Sequence, residues 1–165
     1  MSFKRSVLFF ITVLFLSNTY ARPHFFPRGC HERGYRFEDS GLVLRQSHKK
    51  NQALFFIYNN SKDDIKMMIA DKDLKPYYPN YKKTLHFQYW SAFAMQDSSL
   101  NFTCYRTSTK KIKGHPVNCK HVLRLCQFTK AAFDGSNRGT YWVKVNAKLH
   151  EVIKEAVNKG VYLRR

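Results

Sequence analysis

Five residues of the kinds that ligate metals or attack electrophilic centres fall within 23 positions of this chain: Cys104, His115, Cys119, His121 and Cys126. Thiolate and neutral imidazole are the ligands of zinc-type sites. Their spacing matches none of the standard paired-ligand patterns, and disulfide formation would consume the thiols. A nucleophilic Cys–His pair, built from Cys119 and one of the seven histidines, would need a free thiolate held beside its base in space. Two histidines and a lysine can do acid–base work on a phosphodiester, but no local motif brings them together. The 11 acidic residues, Glu32, Glu38, Glu151, Glu155 and seven aspartates, show no pairing of the glycosidase kind. The sequence holds no HExxH, GxSxG, P-loop or GxGxxG motif. No catalytic residue, cofactor or metal ligand is therefore assigned.

The state of those thiols depends on where the chain resides. Lys4 and Arg5 precede a ten-residue apolar run, Val7 to Leu16, which ends in Thr19-Tyr20-Ala21. This is the pattern of an export signal spanning residues 1–21 and cut after Ala21. Ten apolar residues are few for a bilayer crossing, and no other stretch is apolar enough, so no transmembrane span is expected after signal removal. The remaining 144 residues (165 less 21) suit a single domain over 22–165, located in the periplasm or secreted. In an oxidising compartment Cys30, Cys104, Cys119 and Cys126 become disulfide candidates, with three possible connectivities. A helical CKHVLRLC segment would set Cys119 and Cys126 about 10 Å apart along the axis. A strand would turn them to opposite faces. Neither meets disulfide geometry, so each is expected to bond to Cys30 or Cys104 unless the segment is an irregular loop.

Charge points to partners. Without Lys4 and Arg5, 27 basic residues face 11 acidic ones, a net +16. Such a balance favours an anionic partner: a glycan, lipid headgroups or an acidic protein at an envelope or host surface, with nucleic acid a further candidate. The candidate anion-binding groups are Lys82, Lys83, Lys110, Lys111, Lys113, Arg164 and Arg165.

The elements that would position these groups are mostly strands. Residues His86 to Tyr105 read as a hairpin, with a turn at Gln96 to Ser99. Its first strand is apolar on both sides, as in the middle of a packed sheet. In the second, Leu100, Phe102 and Cys104 share a buried face. Strands are also expected at Tyr35–Glu38, Leu42–Arg45, Ala53–Tyr58, Ile65–Ala70 and Thr140–Val145, the last with Tyr141, Val143 and Val145 on one face. Residues 22–33 form an irregular arm stapled by Cys30, Asp71 to Lys83 a long loop, and Arg106 to Pro116 a basic, turn-rich stretch. Asn118 is expected to cap a short helix over 119–126, and Phe133 to Gly139 is a turn cluster. Asn146 is expected to cap an amphipathic helix over 147–158, whose stripe is Leu149, Val152, Ile153 and Ala156 and whose stop is Gly160. Val161 to Leu163 would dock as an edge strand. Asn59-Asn60-Ser61 and Asn101-Phe102-Thr103 match the glycosylation acceptor pattern. The fold class is mainly β: a disulfide-stapled, sandwich-like domain with a C-terminal amphipathic helix.

Three runs in the C-terminal third, VNCKHVLRLCQF (Val117 to Phe128), GTYWVKVN (Gly139 to Asn146) and VIKEAVNKGVYL (Val152 to Leu163), resemble the enhanced-entry EnhB family of intracellular bacterial pathogens. The resemblance covers about a third of the chain. It implies a small periplasmic or secreted factor that promotes host-cell entry beside other envelope proteins, and it transfers no site residue. The expected function is thus non-enzymatic binding of anionic surface components. The alternative is a secreted cationic hydrolase or toxin acting on nucleic acid or cell wall.

Overall fold

A computed structural model describes residues 25–45, 52–70, 82–96, 99–108, 111–128, 131–133 and 139–163. The export signal and positions 71–81 of the long loop lie outside them. The strands are β1 (Cys30–His31), β2 (Tyr35–Glu38), β3 (Gly41–Arg45), β4 (Ala53–Asn59), β5 (Ile65–Ile69), β6 (Lys83–Leu85), β7 (Trp90–Met95), β8 (Ser99–Ser108) and β9 (Lys111–Val117). A single helical turn, α1 (Cys119–Val122), leads into β10 (Leu123–Phe128), β11 (Ala131–Phe133) and β12 (Tyr141–Ala147). Helix α2 (Leu149–Asn158) and β13 (Val161–Leu163) complete the order.

Two antiparallel sheets face each other. One, the central sheet, runs β1-β10-β4-β7-β12; the other, the outer sheet, runs β2-β3-β8-β5-β6, with β9 also paired to β8. Alternate residues from both enter one core. Phe55, Ile57 and Phe93 come from the central sheet, and Leu42, Met67 and Phe102 from the outer one. Phe93 meets Phe102 edge-to-face at 5.8 Å across the sandwich. The central sheet buries its second face too. Leu54, Phe56, Ala92 and Ala94 pack against Val152 and Ala156 of α2, with Leu149 and Ile153 partly buried beside them. The predicted helical stripe is thus the face that docks, and every residue of β7 is buried. Fully burying each of these aliphatic or phenyl side chains contributes about 1.5–3 kcal/mol.

Several expectations change. The predicted hairpin is not a hairpin: β7 pairs with β4 and β12 in the central sheet, whereas β8 pairs with β3, β5 and β9 in the outer one. Both edges of β7 are occupied, so the chain leaves it for the facing sheet, about 10 Å away. Strand β7 also starts late. Residues 86–89 form a turn with Gln88 at φ 61°, leaving Phe87 and Tyr89 exposed. The turn-rich stretch from Arg106 is a β-pair, since β8 continues to Ser108 and β9 returns beside it. A Cβ on Gly114 would lie 2.5 Å from the Arg106 carbonyl oxygen, so glycine permits this close approach.

The expected 119–126 helix stops after one turn. Asn118 does cap it, accepting from the Lys120 amide at 3.0 Å, but β10 then pairs along its whole length with β4. Leu123 and Leu125 enter the sandwich core while Cys126 and Phe128 enter the helix-side core. A short apolar run satisfies both periods, and the open edge of β4 selects the strand. Tyr141 and Val143 share the helix-side face, but irregular register in β12 sends Val145 to the opposite side. Asn146, at φ 58°, caps no helix. Its side chain accepts from the His86 amide and donates to the Thr84 carbonyl, and α2 begins only at Leu149. There the Lys148 amide donates to Glu151 at 2.8 Å.

Candidate functional site

Disulfide bonds join Cys30 to Cys126 and Cys104 to Cys119. Cys119 and Cys126 sit in different cores and do not bond to each other. All four thiols are consumed, and His115 and His121 are exposed near them without a shared centre. No group of three metal-type ligands occurs among the described residues. Two disulfides fit an oxidising, extracytoplasmic compartment. No helix among the described residues is long and apolar enough to cross a membrane.

Of the candidate anion-binding residues, Lys110, Arg164 and Arg165 lie outside the described residues, as do the side chains of Lys111 and Lys113 on β9. Lys82 and Lys83 sit at the start of β6. Lys83 opposes Met67 and is half-buried, whereas Lys82 is exposed. The structure brings Lys82 to a residue that the charge runs overlooked, Lys66 on β5. In the outer sheet Lys66 lies opposite Thr84 on one side and Tyr105 on the other. A hydrogen bond to Lys82, then partial desolvation and repulsion from the Lys82 charge, hold the Lys66 ammonium below the usual lysine range. Neither lysine has an acidic partner among the described residues. Elsewhere on this sheet Arg36 and Arg45 both pair with Glu38. The signal for Lys66 was legible in principle: IKMMI alternates, placing Lys66 and Met68 on the solvent face. What was missing was the strand register.

A second feature is a cleft of about 550 Å³ between the N-terminal arm and β10, lined by Phe25, Arg28, His31, Glu32 and Arg124 among others. Arg124, Tyr58 and Trp90 are successive cross-strand neighbours on the central sheet. Phe25 lies over this row, with ring centroids 5.0 Å from Tyr58 and 5.1 Å from Trp90. The Arg124 guanidinium sits 5.1 Å from its centroid, a cation–π distance. Phe25 remains 39% exposed. The arm is held by the Cys30–Cys126 bond and by β1 pairing with β10. Gly29, at φ 83°, makes this path possible, because a Cβ there would lie 2.9 Å from the Phe128 ring.

The third feature is polar. His86 Nδ1 lies 2.7 Å from Asp64 Oδ2, and Asp64 Oδ1 accepts from the Phe87 amide at 3.2 Å. Arg106 pairs with the adjacent Asp63 at 2.9 Å. The His86–Asp64 pair orients an imidazole as a base would need, yet no hydroxyl or thiol among the described residues bonds to its other nitrogen. Its evident work is to hold the 86–89 turn.

Tertiary structure also separates the two glycosylation-type triplets. Asn59 is fully buried: its amide donates to the carbonyls of Asp63 and Leu85, and its oxygen accepts from the Ser61 amide and hydroxyl. Asn101 is exposed on the outer sheet. Comparison with protein-family models, curated proteins and solved structures finds no match to this chain.

Proposed function

We propose that this protein is an exported, basic, non-enzymatic factor, periplasmic or secreted, that binds anionic components of the cell envelope or a host surface. Its role in promoting host-cell entry rests on the resemblance to the EnhB family. One observation carries the binding reading. Lys66 and Lys82 stand together on the solvent face of the outer sheet, and neither forms an ion pair with an acidic residue among the described residues. Adjacent like charges raise the energy of the free protein, and a bound anion relieves it. The mature net charge of +16 adds a field that draws such partners in.

The test is binding of the mature protein to heparin-like glycan, lipopolysaccharide, peptidoglycan, RNA and DNA, each titrated against salt. The expected result is one partner retained at physiological salt and weakened in the Lys66→Gln/Lys82→Gln double variant. Weak binding to every polyanion, all lost together as salt rises, would reduce the charge to a generic field.

A second reading, a secreted cationic hydrolase, draws support from the His86–Asp64 pair beside Arg106. It predicts cleavage of one panel member that survives repurification and is abolished in His86→Ala.

A further inference from the structure

We infer that the cleft beneath the N-terminal arm is a second binding site and that its ligand is an acidic saccharide. The Phe25 ring is 39% exposed, with the Arg124 guanidinium over one face and Phe26, Tyr58 and Trp90 around it. Exposed aromatic surface of this kind packs against the C–H groups of a sugar ring. Arg124 and Arg28 supply guanidinium donors at the same cleft, suited to a planar carboxylate or to a sulfate ester. Glu32 lines the cleft with them, and its carboxylate accepts hydrogen bonds from hydroxyl groups.

These three chemistries together narrow the ligand class. A bare inorganic anion would use the arginines alone and be opposed by Glu32. A lipid chain would use the rings and leave the charges unserved. A saccharide bearing an acid group uses all three. The volume, about 550 Å³, lies within the range of sites for small ligands.

This site is independent of the lysine pair. The cleft sits on the helix-side face of the central sheet, whereas Lys66 and Lys82 occupy the solvent face of the outer sheet, across the sandwich. Its integrity depends on the Cys30–Cys126 bond, which ties the arm to β10.

The experiment titrates the mature protein, both disulfides intact, with a hyaluronan oligosaccharide and a heparin oligosaccharide, which separate carboxylate from sulfate recognition. A neutral oligosaccharide of equal length and inorganic sulfate are the controls. Binding is read calorimetrically and by indole emission, since Trp90 touches Phe25. At least one acidic oligosaccharide is expected to bind, with both controls silent. Arg124→Gln and Phe25→Ala should each weaken it about tenfold or more, and should do so equally in the Lys66→Gln/Lys82→Gln background. The inference is overturned if neither acidic oligosaccharide binds, if the neutral one or sulfate binds as well, or if the two cleft variants bind normally. It is equally overturned if the lysine double variant alone abolishes binding, because the ligand would then belong to the outer sheet.

Discussion

Asn59 offers the sharpest test of how this fold is held together. It ends β4 in the central sheet, and its fully buried side chain reaches Leu85 of β6 in the outer sheet. Four hydrogen bonds of 2.7–3.0 Å surround it. In Asn59→Ala the Leu85 carbonyl loses a buried donor, a desolvation penalty of about 1–3 kcal/mol. The three part-buried bonds, to Asp63 and Ser61, regain water and cost less, so the expected total is about 3 kcal/mol. Asn59→Asp is nearly isosteric and keeps the acceptor for Ser61, but it points an oxygen at two carbonyls. Burial and those carbonyls raise its folded pKa above the unfolded value of about 3.9. About two pH units below that unfolded value both states are protonated, and the single carboxyl O–H replaces one of the two bonds donated by Asn59, so the aspartate variant should lie between the parent and Asn59→Ala. As pH rises through the unfolded and then the folded pKa, its stability should fall and level off below that of Asn59→Ala. Urea denaturation of the parent and both variants from about pH 2 to about pH 8 measures this directly. A loss under about 1 kcal/mol in Asn59→Ala, or a pH-independent deficit in Asn59→Asp, would refute the bridging role.

Three further outcomes are expected. Replacing Cys30 and Cys126 with serine opens a loop of 96 positions, for which chain entropy gives up to about 4.7 kcal/mol. The arm should become protease-sensitive near Phe25 and acidic-saccharide binding should vanish, while the Cys104–Cys119 bond remains by mass spectrometry. Phe102→Ala, removing a ring 1% exposed between the sheets, should cost about 3–5 kcal/mol in the same urea assay. Lys66→Gln should raise stability at neutral pH, because the folded state depresses this ammonium's pKa. That gain should fade as pH climbs through the ordinary lysine range, where the parent lysine discharges in both states.

Local patterns in the amino-acid order are enough to set the fold class. Alternation in SLNFTC buries Leu100, Phe102 and Cys104 on one face, and the double-sided apolarity of WSAFAM demands two covers, which the facing sheet and α2 supply. The stripe of α2 and its stop near Gly160 are equally local, since each depends on residues within two helical turns. Partnership was left to tertiary structure. No local pattern says that β7 and β8 belong to different sheets, because a polar turn serves a hairpin and a sheet-to-sheet crossing alike. CKHVLRLC carries both periods at once, and only the waiting edge of β4 makes most of it a strand. The same limit governs the candidate sites. Lys66 meets Lys82 through the β5–β6 register, and Phe25 meets Arg124 because Cys30 is bonded 96 positions away. Side-chain type and period are properties of a few neighbouring residues, whereas a binding surface is set by which distant strands lie side by side.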